Sequence, residues 1–179
     1  MCTTDAEVEF LLSRVLLQQC QLVLEPFAGA GTITRVLCAA GCPRVFANDL
    51  SVLHPADAHL DACQPASYAA LVRLAGAPFD AVVTSPWFSV LDVALPLLVD
   101  AARVVACVHV PGHYLSSGPL PRFAYLQSLQ RQGRLLILYG LPRGPTGWRC
   151  AWLVVFRSAA IKRALLFPGF RRLPGLVLE

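Results

Sequence analysis

The chain has 179 residues, 56% apolar and only 15% charged, which is enough for one domain with a sizeable core and leaves little polar surface for a free monomer. No run of about 18–20 uncharged apolar residues occurs, so a membrane span is not expected; the longest apolar stretch, 87–110, is broken by Asp92, Asp100 and Arg103 and contains Pro96. The net charge of +4 conceals an asymmetry: residues 1–100 hold ten acids and four bases, whereas 101–178 hold eleven bases and no acid, the pattern of a surface facing a polyanion.

In chain order, 5–19 suits an amphipathic helix, with Val8, Leu11, Leu12, Val15 and Leu16 on one side. Residues 21–25 form a short strand, and the loop 26–31 leads into a helix over 32–40, closed by Gly41 and Pro43. A second strand covers 44–48, and 58–61 reads as a short third. A helix spans 66–75, stopped by Gly76 and Pro78. The run 79–84 is a strand apolar enough to be buried on both faces. A helix at 90–102, a buried strand at 103–110 and a helix at 123–132 follow. Two closing strands, 135–139 and 151–156, flank a Gly/Pro loop. Alternating strands and helices imply a parallel sheet covered on both sides, and the last two strands an antiparallel pair at one edge. The domain reading is 1–157, followed by a basic tail over 158–179.

The acidic N-terminus (Asp5, Glu7, Glu9) does not resemble a secretory signal, so the expected location is intracellular, in nucleus or cytoplasm. The seven cysteines include no Cys-x-x-Cys pair, and nothing completes a cluster with Cys38 and Cys42. No metal site is therefore expected, and the thiols read as free in a reducing compartment.

Two stretches carry chemistry. In Glu25-Pro26-Phe27-Ala28-Gly29-Ala30-Gly31 the glycines let the backbone approach a ligand at a helix N-terminus. Position 34, where a dinucleotide fingerprint has a third glycine, is Thr34. Asp49 ends the next strand about 20 residues on, the place of a ribose-binding acid, with a plain turn after Asn48 as the alternative. Asp61 is placed to approach an adenine amine. The second stretch, Ser85-Pro86-Trp87-Phe88, ends the fourth expected strand.

Together these motifs resemble those of class I S-adenosylmethionine-dependent methyltransferases, closest to the amino-methyltransferases of DNA and RNA. Their first loop reads Asp/Glu-Pro-Phe-x-Gly-x-Gly, and their fourth strand ends in Asp/Asn/Ser-Pro-Pro-aromatic. The resemblance covers about 8–157 as an order of elements. It implies a doubly wound, mostly parallel seven-stranded Rossmann-like sheet with an antiparallel edge hairpin. It implies S-adenosylmethionine held by Glu25, Phe27, Ala28, Gly29, Gly31, Asp49 and Asp61. It makes Ser85, Pro86, Trp87 and Phe88 the catalytic turn. There two acceptors would hold the hydrogens of an exocyclic amine and turn its lone pair toward the methyl group, while an aromatic stacks on the base.

The turn departs from the pattern at Ser85, a short acceptor, and at Trp87, which replaces the second proline. An alternative alignment makes Trp87, not Phe88, the stacking ring. The expected partner is nucleic acid, DNA in preference to RNA, contacted by His113, Arg143, Arg149, Lys162 and Arg163, with Tyr114, Trp148, Arg171 and Arg172 as further candidates. A protein partner or a longer parent polypeptide would help with sequence specificity, because 31–85 leaves no room for a separate target-recognition domain. Two other readings stay open: a catalytically inactive module binding nucleic acid or a partner subunit, and a nicotinamide-dependent oxidoreductase.

Overall fold

The computed structural model describes residues 3–139 and 150–166. The first helix, α1 (Asp5–Leu12), is followed by β1 (Val23–Glu25), α2 (Thr32–Ala39), β2 (Val45–Ala47), α3 (Pro65–Ala75), β3 (Ala81–Thr84), α4 (Leu91–Ala101), β4 (Val105–Pro111), α5 (Leu120–Arg131), β5 (Leu135–Leu138), β6 (Cys150–Phe156) and α6 (Ala159–Leu165). Among the described residues six strands form one sheet in the order β2-β1-β3-β4-β6-β5. The first four are parallel to one another; β6 inserts antiparallel between β4 and β5.

Side chains alternate across this sheet with period two, and each face meets three helices. Leu24, Val82, Ala106, Val108, Leu153 and Val155 point to one side, against Leu71 and Ala75 of α3, Leu91, Leu95 and Leu98 of α4, and Leu126 and Leu129 of α5. Val23, Val83, Val105, Cys107, Trp152, Val154 and Phe156 point to the other, against Val8 and Leu11 of α1, Ile33 and Leu37 of α2, and Leu165 of α6. At about 25 cal/mol per Å², each fully buried leucine contributes roughly 1.5–3 kcal/mol, so the double covering dominates stability.

Seven strands were expected, and the third is absent as a strand: it is reduced to one parallel bridge between Asn48 and Ala58. Side chains replace the ladder there. Asn48 Nδ2 donates to Leu60 O at 2.9 Å, and Leu60 N donates to Asn48 Oδ1 at 2.9 Å. Asp57 Oδ2 accepts from Ala47 N at 2.8 Å. The segment lies beside β2 as a strand would, but its backbone needs no strand geometry.

The first helix also stops earlier than its periodicity predicts, at Leu12 instead of residue 19. Val15 forms an antiparallel bridge with Leu166, and Leu16 N donates to Leu165 O. The segment peels away to pair with the far end of the chain. That same pairing holds the start of the expected basic tail against the domain, with α6 packed on β6. No described helix is long and apolar enough to cross a membrane.

Candidate active site

The parallel strands end together on one edge, and the loops leaving β1, β2 and β3 enclose a cavity of about 810 Å³. Such volumes suit a cofactor-sized ligand. Its wall includes Glu25, Phe27, Ala28 and Gly29 after β1, Asp49 after β2, Asp61 before α3, and Ser85 and Trp87 after β3. Two motifs about sixty residues apart in the chain therefore face one space, because β1 and β3 are hydrogen-bonded neighbours. Gly31, Pro86 and Phe88 are outside this wall.

The β1 loop is held from beneath. Asn48, fully buried, donates from Nδ2 to Pro26 O at 3.0 Å, and Ala28 N donates to Asn48 O. Asp49 Oδ2 accepts from Gly29 N at 2.7 Å and its Oδ1 from Ser51 N at 2.9 Å. Each carboxylate oxygen keeps a second lone pair. Gly29 and Gly31 have φ of +52° and +78°, and Gly31 is the N-cap of α2. A Cβ at either position would meet nothing within 4 Å, so the left-handed backbone demands glycine here, not crowding by the protein.

Glu25 is buried, 1% exposed. Its Oε2 accepts from Thr34 N at 2.7 Å and from the Thr34 hydroxyl, so the residue standing where a third glycine would be ties α2 to β1. Burial pushes the Glu25 carboxyl up to about 8, against the lowering effect of the Thr34 bonds and with a smaller push from Asp49. Asp61 turns its Oδ1 to Cys63 N at 2.9 Å and reaches Gln64 Nε2 with Oδ2 at 3.4 Å.

The two aromatics of the β3 turn diverge. Trp87, 70% exposed, stands at the cavity wall. Phe88 packs instead on His113, ring centroids 4.8 Å apart, and edge-on to Tyr114 at 6.3 Å. Of the two rings, only Trp87 lines the cavity. Ser85 Oγ is 3.5 Å from His109 Nδ1, which also lies 3.2 Å from Thr3 Oγ1. Thr3, His54 and Cys63 line the cavity as well. Sequence reading missed His109, although a histidine in the apolar run Val105–Pro111 was a signal: its position on the Cys107 side of β4 aims it at the α1 face. It also gave Asn48, placed in the second strand, no part in holding the β1 loop.

The candidate phosphate contacts are divided. His113 lies at the cavity end of the sheet. Arg143 and Arg149 fall outside the described residues, as do Trp148, Arg171 and Arg172; the flanking Leu138 and Cys150 stand at the same end, Cys150 opposite Pro111. Lys162 is at the other end. Its Nζ donates to Leu135 O at 2.7 Å, and burial lowers the Lys162 amine from its ordinary range. Arg103, Arg134 and Arg157 gather at that far end too, where Arg157 N bonds Val104 O and Arg134 Nε bonds Phe156 O. Arg163 is exposed on α6.

No protein-family model and no curated protein matches this chain. Solved structures do. The fibrillarin/Nop5p complex contains a chain with a TM-score of 0.59 at 15% identity, over 86% of this chain and 81% of that one. Magnesium protoporphyrin IX methyltransferase from Synechocystis PCC 6803, crystallised with bound SAM, gives 0.57 at 16% identity over 86% and 79%. The type IIG restriction endonuclease BpuSI gives 0.61 at 14% over 89% of this chain and 26% of that one. The chain therefore has the Rossmann-like fold of the class I methyltransferases among these neighbours.

Proposed function

We propose that this chain is an S-adenosylmethionine-dependent methyltransferase acting on an exocyclic amine of nucleic acid, DNA in preference to RNA. The observation that carries the reading is the shared cavity: Glu25, Phe27, Gly29, Asp49 and Asp61 face Ser85 and Trp87 across it. The residues present fit the cofactor. Gly29, at positive φ, lines the cavity, and acids stand at the ends of the second strand and of the reduced third. Bound there, S-adenosylmethionine would supply a methyl group on a sulfonium centre, open to direct displacement.

The chain's own part is positioning. Asp49 would accept from the ribose hydroxyls with its remaining lone pairs, and Asp61 from the adenine amine. Ser85 Oγ, on the cavity wall, would hold a hydrogen of the acceptor amine and direct its lone pair across the cavity; the Pro86 carbonyl, the expected second acceptor, belongs to a residue outside that wall. Trp87 would stack on the acceptor ring, a contact worth about 1–3 kcal/mol per base. The acid-free stretch 101–178, with its eleven bases, supports a nucleic-acid acceptor over a small molecule. His113, at the cavity end of β4, is the phosphate contact proposed among the described residues, and Arg143 and Arg149 are proposed from the sequence alone; Lys162 is tied to Leu135 O.

Calorimetry with S-adenosylmethionine, followed by transfer of a labelled methyl group to single- and double-stranded DNA and to RNA, tests this. Cofactor binding with transfer to DNA is the expected result. Binding without transfer to any nucleic acid favours a second reading, an inactive module, whose motivating observation is Trp87 in place of the second proline. A thermal shift with NAD and none with S-adenosylmethionine would overturn both.

A further inference from the structure

Beneath Ser85, on the α1 face of the sheet, three potential metal ligands meet. Glu7 of α1, His109 of β4 and Cys150 of β6 are all buried, and their ligand atoms lie within 4.8 Å of one another. His109 Nε2 makes no hydrogen bond among the described residues although its ring is 0% exposed. Glu7 Oε1 lies 3.6 Å from it. That is too long for a hydrogen bond. It is close to the spacing of about 3.4 Å between nitrogen and oxygen ligands of one tetrahedral zinc, each about 2.1 Å from the ion.

The surroundings prepare each ligand. The other Glu7 oxygen, Oε2, is engaged by Thr4 N at 2.7 Å and by Thr4 Oγ1 at 3.0 Å, which leaves Oε1 aimed at His109. Trp152 Nε1 donates to Glu7 O at 2.9 Å, and its ring packs on the imidazole at 4.8 Å. His109 Nδ1 faces Thr3 Oγ1 and Ser85 Oγ, either of which can accept the proton that metal binding at Nε2 would fix on Nδ1. Cys150 stands opposite Pro111 in the β4–β6 ladder, on the same face of the sheet as Trp152, which pairs with His109.

From this geometry we infer that Glu7, His109 and Cys150 bind one divalent transition ion, zinc foremost, stapling α1 to β4 and β6 behind the cavity. A carboxylate and a thiolate balance the two charges of the ion, as a buried site requires. A thiolate and an imidazole exclude magnesium and calcium as preferred occupants. The Cys150 thiol loses its proton to solvent on binding. The inference goes beyond the methyl-transfer reading and does not depend on it.

The test is metal content of the full chain, purified without a metal-affinity step and dialysed against metal-free buffer, with Co²⁺ as the optical probe. About one zinc per chain is expected, with a thiolate-to-cobalt charge-transfer band after replacement. Cys150→Ala should lose that band, and both Cys150→Ala and Glu7→Gln should retain zinc at least about tenfold less well. Cys38→Ser, an exposed thiol, should behave as wild type. A wild-type chain that holds no zinc and gives no band overturns the inference, and so does a folded Cys150→Ala that keeps both. If Cys150→Ala does not fold, Glu7→Gln decides: unchanged zinc retention overturns it, and a loss supports it.

Discussion

Replacing Glu25 by glutamine should stabilise the protein at neutral and alkaline pH. The carboxyl rises from its ordinary 4.5 to about 8 because it is almost wholly withdrawn from water. At about 1.4 kcal/mol per pH unit, that rise corresponds to about 5 kcal/mol. The folded chain holds this proton more tightly than the unfolded chain does. The group's contribution is therefore most favourable below pH 4.5 and declines as pH climbs through 8. Glutamine keeps the shape and can still accept from Thr34 N, but it does not ionise. Urea unfolding of both proteins at pH 5, 6, 7 and 8 isolates the effect, since other titrating groups cancel in the difference. Wild type should lose about 2–3 kcal/mol relative to Glu25→Gln between pH 5 and 7. A difference constant with pH would show that the carboxyl is hydrated or already ionised, and the account of its burial would fail.

Asp49→Ala should weaken S-adenosylmethionine binding by about 10- to 100-fold, the loss of hydrogen bonds to a charged acceptor together with the anchor of Gly29 N; calorimetry reads it, and unchanged affinity would remove Asp49 from the site. Trp87→Ala should lower kcat/KM for transfer by about 10- to 100-fold, the worth of one base stack. Phe88→Ala should cost less, because its ring rests on His113 outside the cavity wall; the reverse ranking would restore Phe88 as the stacking ring. Gly29→Ala should lower stability by about 1–2 kcal/mol, purely from φ, since its Cβ touches nothing; a near-zero change in denaturant midpoint would mean the loop relaxes. Arg122→Ala should destabilise by about 1–3 kcal/mol, because Arg122 forks to both oxygens of Asp92 and covers the Tyr114 ring at 3.9 Å; guanidinium-chloride unfolding checks it.

Much of the fold was legible along the chain because its signals are local. Apolar runs such as 79–84, and the stops at Gly41 and Gly76, depend only on near neighbours, so the order of strands and helices could be read without knowing what packs where. The glycine loop and the β3 turn were equally visible, as was the edge pair of β5 and β6. Other features depend on partners far away in the chain. The first helix ends at Leu12 because Val15 and Leu16 pair with Leu165 and Leu166, which no periodicity within 5–19 encodes. The third strand gave way to the side chains of Asn48 and Asp57, whose reach across the edge is a matter of register. Trp87, not Phe88, faces the cavity because the turn rotates the second ring onto His113. Glu7, His109 and Cys150 converge only once β6 lies antiparallel beside β4 and α1 folds over both. Local pattern is written in spacing along the chain; which side chains meet is set by strand pairing, and that exists only in the folded molecule.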